Sequence, residues 1–264
     1  MKIDNKTVAM LTGLAIMGAA GAASAATWVF NNSSSNTQGD VTATASAWGN
    51  TANGSAGTNT VLQGGFLTYN GSSGLGVKNN DCGSSPCSGS GDTSEGYSPE
   101  HAIDNDQRKD SILFTFSGDK VNLDYTYFGW VSGNTGYGDS DFSVYAYTGA
   151  GVGTLAGLTY TDASMATAGW TLVGHHSGGS STGWKTINDT DIYSSYWLIG
   201  ANNGTNDSKK DAFKLLKVAG TTCTDNPGGN GCGGGGGQVP EPGTLLLLGA
   251  GLFGLTRTLR RSAN

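Results

Sequence analysis

Asp110-Ser111-Ile112-Leu113-Phe114-Thr115-Phe116, then after a short turn Lys120-Val121-Asn122-Leu123-Asp124-Tyr125-Thr126-Tyr127, decides the fold class. In the first run Ile112, Phe114 and Phe116 share one side. In the second, Val121, Leu123, Tyr125 and Tyr127 alternate with Asn122, Asp124 and Thr126. Period two marks a strand with one face on a core. The pattern recurs outward in both directions. Val41, Ala43, Ala45 and Ala47 alternate with Thr42, Thr44 and Ser46, and Phe142, Val144 and Ala146 with Ser143, Tyr145 and Tyr147. Further strands are expected over residues 26–30, 60–69, 74–77, 170–174, within 187–201 and over 212–218, where a helical spacing of Phe213 and Leu216 competes. Asn53-Gly54, Asn70-Gly71 and Asn203-Gly204 supply tight turns. The total, about nine to eleven strands, predicts an all-β, antiparallel β-sandwich, jelly-roll-like. Ser98-Pro99-Glu100 is the one good helix start, with Ser at the N-cap and Pro first, and Asp104-Asn105-Asp106 ends it within a turn. A second short turn is expected over 162–168.

Composition narrows the class. The chain has 45 glycines, 5 prolines and 13% charged residues, with a net charge of −6. That balance makes nucleic acid and an anionic membrane surface poor partners. Met1 begins a leader over residues 1–25: Lys2 and Lys6, an apolar run over 8–20, and the small residues Ala23-Ser24-Ala25. This is a secretory signal peptide, with cleavage expected after Ala25 and Ala23 and Ala25 as the site residues. The remaining chain is long enough for one sandwich-sized domain over 26–220. Residues 221–238 read as a Gly-rich linker, with an unbroken glycine run over 233–237.

The far end, 239–264, has three parts in order: Val239-Pro240-Glu241-Pro242, an uncharged apolar run through Leu255, and Arg257, Arg260 and Arg261. At 1.5 Å per residue, 242–259 reaches roughly 27 Å, enough for a single transmembrane helix whose arginines stay on the cytoplasmic side. This tail resembles the sorting signal of PEP-CTERM proteins of Gram-negative bacteria. The resemblance implies a transient exosortase partner that recognises Pro240, Glu241 and Pro242, with sorting to the cell surface or exopolysaccharide. The stretches 74–79, 98–105 and 110–116 also resemble a family of exosortase-dependent surface proteins. That second resemblance implies an envelope-associated β-domain with no assigned catalytic site.

Export implies an oxidising compartment, so Cys82 with Cys87 and Cys223 with Cys232 are expected as two local disulfides, each pinning a turn; other connectivities remain open. No Gly-x-Ser-x-Gly elbow accompanies the histidines. His101 reads as a structural histidine in a capped turn, and His175-His176 as a loop. Asp104-Asn105-Asp106 and Asp139-Ser140-Asp141 are oxygen-rich, which makes Asp104 and Asp139 the candidate ligands for a structural calcium; otherwise no cofactor is expected. Among Tyr125, Tyr127, Trp130, Tyr145, Tyr147 and Trp170, alternation makes Tyr145 and Tyr147 the best exposed pair for stacking on sugar rings. The expectation is therefore a non-enzymatic envelope or matrix protein. A polysaccharide-binding module, signalled by an exposed aromatic strip, is the first alternative and a secreted hydrolase the second.

Overall fold

The computed structural model describes residues 25–52, 61–80, 101–106, 108–132, 139–204 and 209–233. Its two longest-range signals, β8 (Asp110–Ser117) and β9 (Val121–Val131), lie in different sheets. The turn between them carries the chain across the core. Gly118 makes it with φ +99°, and a Cβ there would lie 2.2 Å from the Asp40 carbonyl. A left-handed, close-packed position of that kind suits glycine alone.

The remaining elements are β1 (Ala26–Val29), β2 (Ser35–Gln38), β3 (Val41–Ala52), β4 (Val61–Gly64), β5 (Phe66–Tyr69), β6 (Leu75–Lys78), β7 (Ile103–Asp104), β10 (Phe142–Tyr147), α1 (Asp162–Thr167), β11 (Trp170–His176), β12 (Gly183–Thr186), β13 (Tyr196–Ala201) and β14 (Ala212–Thr222). The first sheet runs β12-β9-β14-β6-β5, with β1 and β7 also on β14. The second runs β11-β10-β13-β8-β3-β2, with β4 on β3. The named strand pairs are antiparallel. Between the sheets lies one core to which both contribute. Phe128 stacks on Phe213 with centroids 4.1 Å apart and meets Phe142 edge-on at 5.0 Å. Trp28, fully buried, donates its indole N–H to the Val41 carbonyl at 3.1 Å. Each such ring contributes roughly 1.5–3 kcal/mol by leaving water.

The differences from expectation have local causes. The expected strand over 60–69 is two strands in two sheets, with Gly65 between them; a Cβ there would lie 2.8 Å from the Lys78 carbonyl. β14 is a strand throughout and the hub of its sheet, so pairing on several sides overrides its helical spacing. β2 and β12 were missed because short, largely polar edge segments carry no apolar period, and β7 because its two buried residues fall in the expected helical turn. His175 and His176 end β11 rather than lying in a loop. The expected helix start at Ser98 lies outside the described residues; of that segment, Ile103 and Asp104 pair with Phe213 and Ala212 as strand. The expected 162–168 turn is α1, capped by the Thr161 hydroxyl on the Ser164 N–H.

The end of the domain also differs. β14 continues to Thr222, and residues 223–233 fold back against the sandwich instead of starting a linker. Cys223 and Cys232 are bonded, with Cα atoms 5.4 Å apart. Tyr193 N–H donates to the Asn230 carbonyl, and Lys120 Nζ to the Gly231 carbonyl at 2.6 Å. Cys82, Cys87, the leader before Ala25 and the 239–264 tail lie outside the described residues. Among the described residues no helix is long and apolar enough to cross a membrane.

Candidate functional site

β9 changes phase twice. Val121 and Leu123 point into the core, but so do Thr126 and Phe128, one position out of step. The register against β14 skips Asp124, since Leu123 faces Gly220 while Tyr125 faces Ala219. A bulge of this kind turns the following side chains over. It places Tyr125 and Tyr127 on the outer face, not beside Val121 and Leu123 as strict alternation predicts.

Those two rings meet Trp184, which β12 places opposite Tyr127. Trp184 packs edge-on against Tyr127 at 5.3 Å and Tyr125 at 6.3 Å. The strip is open to solvent: Trp184 is 47% exposed and Tyr125 42%. Lys217, from β14, holds its ammonium 5.1 Å from the Tyr127 ring centre and 5.9 Å from that of Trp184, within cation–π range. Further along the same face Lys214 lies 5.3 Å over Trp130 and donates to Asn70 Oδ1 at 3.1 Å. Partial burial lowers the Lys214 pKa. At the other end, the Asn122 amide donates to Asp124 Oδ1 at 2.8 Å and Asp191 Oδ1 at 3.4 Å. Burial, then the Asp191 carboxylate, push Asp124 up to about 6. Asp191 has a left-handed backbone, φ 52°. Of these residues the sequence marked Tyr125, Tyr127 and Trp130 as aromatic candidates; Trp184 follows the Gly/Ser-rich run 177–183 without a legible period.

The pair expected to be exposed, Tyr145 and Tyr147, is not. Both leave the main core, as alternation requires, but the outer face of their sheet is covered. α1 and the preceding loop lay Met165, Leu155 and Tyr160 over it in a second apolar cluster, and Tyr145 is fully buried. Its hydroxyl donates to Asp162 Oδ1 at 2.5 Å and accepts from Asn203 Nδ2 at 2.7 Å. Burial, with that carboxylate, raises its pKa far above the ordinary value. Tyr147 is half-buried between Trp170 and Tyr196 and donates to the Ala150 carbonyl. It lines a cleft of about 520 Å³ with Tyr193, Tyr196 and Lys120.

Beside Tyr145 lies an arrangement the sequence did not show. Ser143 Oγ is 2.8 Å from His175 Nδ1, and His175 Nε2 is 3.2 Å from Asp162 Oδ2. The residue types are those of a hydrolytic triad, but Ser143 is mid-strand with no exposed surface, and its oxygen already accepts the Asn203 N–H at 3.1 Å. A nucleophile needs to reach substrate; this hydroxyl instead fastens α1 to the sheet. His176, its ring on the opposite side, stacks on Phe142 at 5.0 Å. His101 contributes a carbonyl that accepts from Thr68.

The two calcium candidates separate. Asp139 meets Asp141 and Asp211, each offering one oxygen within 4.8 Å of the others. Asp104 is outside that group; its Oδ1 accepts the Asp106 N–H at 3.0 Å. Burial, then the adjacent Asp139 carboxyl, push Asp211 well above the usual carboxylate range. Asp211 stands alone after Lys209-Lys210, with no oxygen-rich motif to mark it.

Fold and surface together define an all-β, two-sheet protein with an aromatic–lysine strip on one open face. Residues 238–261 match the PEP-CTERM protein-sorting motif, which marks an exported protein sorted by exosortase to the cell surface. No curated protein matches the chain.

Proposed function

We propose that this is a non-enzymatic surface protein whose domain binds polysaccharide on the outer face of the β9–β12–β14 sheet. The observation that carries the reading is the exposed Tyr125–Tyr127–Trp184 strip. Aromatic planes bordered by polar groups suit the apolar faces of sugar rings, and a strip across adjacent strands suits an extended chain. Lys217 and Lys214 on the same face favour sugars that bear carboxylates. The burial of Ser143 supports a binding role over hydrolysis. Export and exosortase sorting deliver the domain to the place where exopolysaccharide accumulates, with the tail anchoring it in the membrane until it is processed.

Co-sedimentation with the producing cell's exopolysaccharide tests the reading. Trp184→Ala and Tyr125→Ala are each expected to weaken pull-down roughly tenfold, and added salt to weaken it further. Full retention by both variants, or no binding by the parent protein, leaves a sorted structural domain instead. Tyr145→Phe, which alters only a buried hydroxyl, is expected to bind normally.

A further inference from the structure

The Asp139–Asp141–Asp211 group joins the two sheets. Asp139 and Asp141 immediately precede β10 in one sheet; Asp211 immediately precedes β14 in the other. An isolated parallel bridge links Asp139 to Asp211, and Ala212 N–H donates to the Asp139 carbonyl at 3.1 Å. The carboxylates are oriented by donors behind them. Asp211 Oδ1 accepts the Asp141 N–H at 2.8 Å and its Oδ2 accepts Asn105 Nδ2 at 2.6 Å, while Asp141 Oδ1 accepts the Gly178 N–H at 3.0 Å. Outer donors of this kind fix the ligands of a metal and leave lone pairs facing the centre.

One oxygen has no such donor. Asp139 is 8% exposed, and its Oδ1 is buried without a hydrogen-bond partner among the described residues. Its other oxygen has the Lys209 ammonium at 3.6 Å, a partner that is itself half in water. A buried anionic oxygen left unpaired is costly, and its compensation is a proton or a cation. Against three carboxylates in one small volume stand the exposed Lys209 ammonium and the partly buried Lys109, which interacts electrostatically with Asp211. The three oxygens lie close enough together to share one ion, since oxygens bound to the same calcium are separated by at most about 4.8 Å, twice a bond of roughly 2.4 Å.

We propose that Asp139, Asp141 and Asp211 together bind one hard divalent cation of the calcium class, which fastens the start of β10 to the start of β14. The donors are all oxygen, which disfavours zinc and copper, and three protein carboxylates suit calcium better than magnesium, which dehydrates reluctantly and is usually held by one or two. Three carboxylates fill part of the coordination sphere, leaving the rest to water and main-chain carbonyls.

The test is calorimetric titration of the chelator-treated full chain with calcium and, separately, magnesium, alongside thermal unfolding. Calcium is expected to bind and to raise the melting temperature by several degrees, by mass action on the folded state, with magnesium much weaker. Asp139→Asn and Asp211→Asn should lose the heat of binding and the thermal shift while keeping the parent's β-type circular dichroism. Asp104→Asn, outside the group, should keep both. No binding of either ion at millimolar concentration overturns the proposal. So does an Asp139→Asn or Asp211→Asn variant that still responds to calcium. A calcium-blind parent together with an Asp139→Asn variant more stable than it assigns the group to a shared proton.

Discussion

Three side chains carry most of the consequence at the residue scale. Trp184 packs on both tyrosines of the strip and lies in cation–π range of Lys217, with nearly half its surface in water. Its replacement by alanine is expected to weaken polysaccharide binding roughly tenfold, about 1.4 kcal/mol, the scale of one aromatic contact. The melting temperature should barely move, and titration of the variant by tryptophan-independent calorimetry checks both. Tyr145 is the converse case. Tyr145→Ala empties a buried site in the second cluster and is expected to cost about 3–5 kcal/mol with no direct loss of sugar contact, measurable by denaturant unfolding. Asp124 sets a pH dependence. Its pKa rises from 3.8 in the unfolded chain to about 6 in the folded one, so the folded state holds the proton more tightly. The stability contributed by this group is fully present below about pH 4, declines as pH rises toward 6, and is flat above. Asp124→Asn is expected to remove that decline, which melting curves from pH 4 to pH 8 would show as a shallower slope.

At the scale of elements, the 223–233 clasp gives the sharpest prediction. A loop of this size closed by one disulfide restricts the unfolded chain by about 2.5 kcal/mol in the entropic account. The paired Cys223→Ser, Cys232→Ser variant is expected to melt lower by that order and to be cut by protease between 223 and 233. Gly229→Ala should resemble it with the disulfide intact, because a Cβ there would fall 2.0 Å from the Tyr193 ring. What the sequence disclosed follows the same division. β3, β8 and β10 were legible because each turns a row of apolar side chains toward the main core and so writes period two into the chain. The exposed strip was only half legible: its rings stand in the sequence, but a bulge at Asp124 decides which way they point. Tyr145 was misplaced for a related reason. Alternation says that a side chain leaves one core, not whether another element covers it, and α1 does. Asp211 was invisible because its partners lie far away along the chain. The Gly-rich composition of 221–233 concealed a clasp, since the contacts that hold it come from Lys120 and Tyr193.

For the whole molecule, the sorting motif and the domain make separate claims. Exosortase processing near Pro240-Glu241-Pro242 predicts a surface form whose intact mass lacks residues 243–264; a surface form that retains them removes the processing step and leaves the β-domain as described. The clasp sets a further limit on that step. Because 223–233 is sewn onto the sandwich, only seven residues separate Gly233 from Pro240, and at full stretch they span no more than about 25 Å. Opened at the disulfide and started from Thr222, the same connection would span about 65 Å. In the oxidised protein, cleavage at Pro240-Glu241-Pro242 is therefore tethered to within about 25 Å of the clasp end of the sandwich, a short tow-rope for whatever enzyme makes the cut.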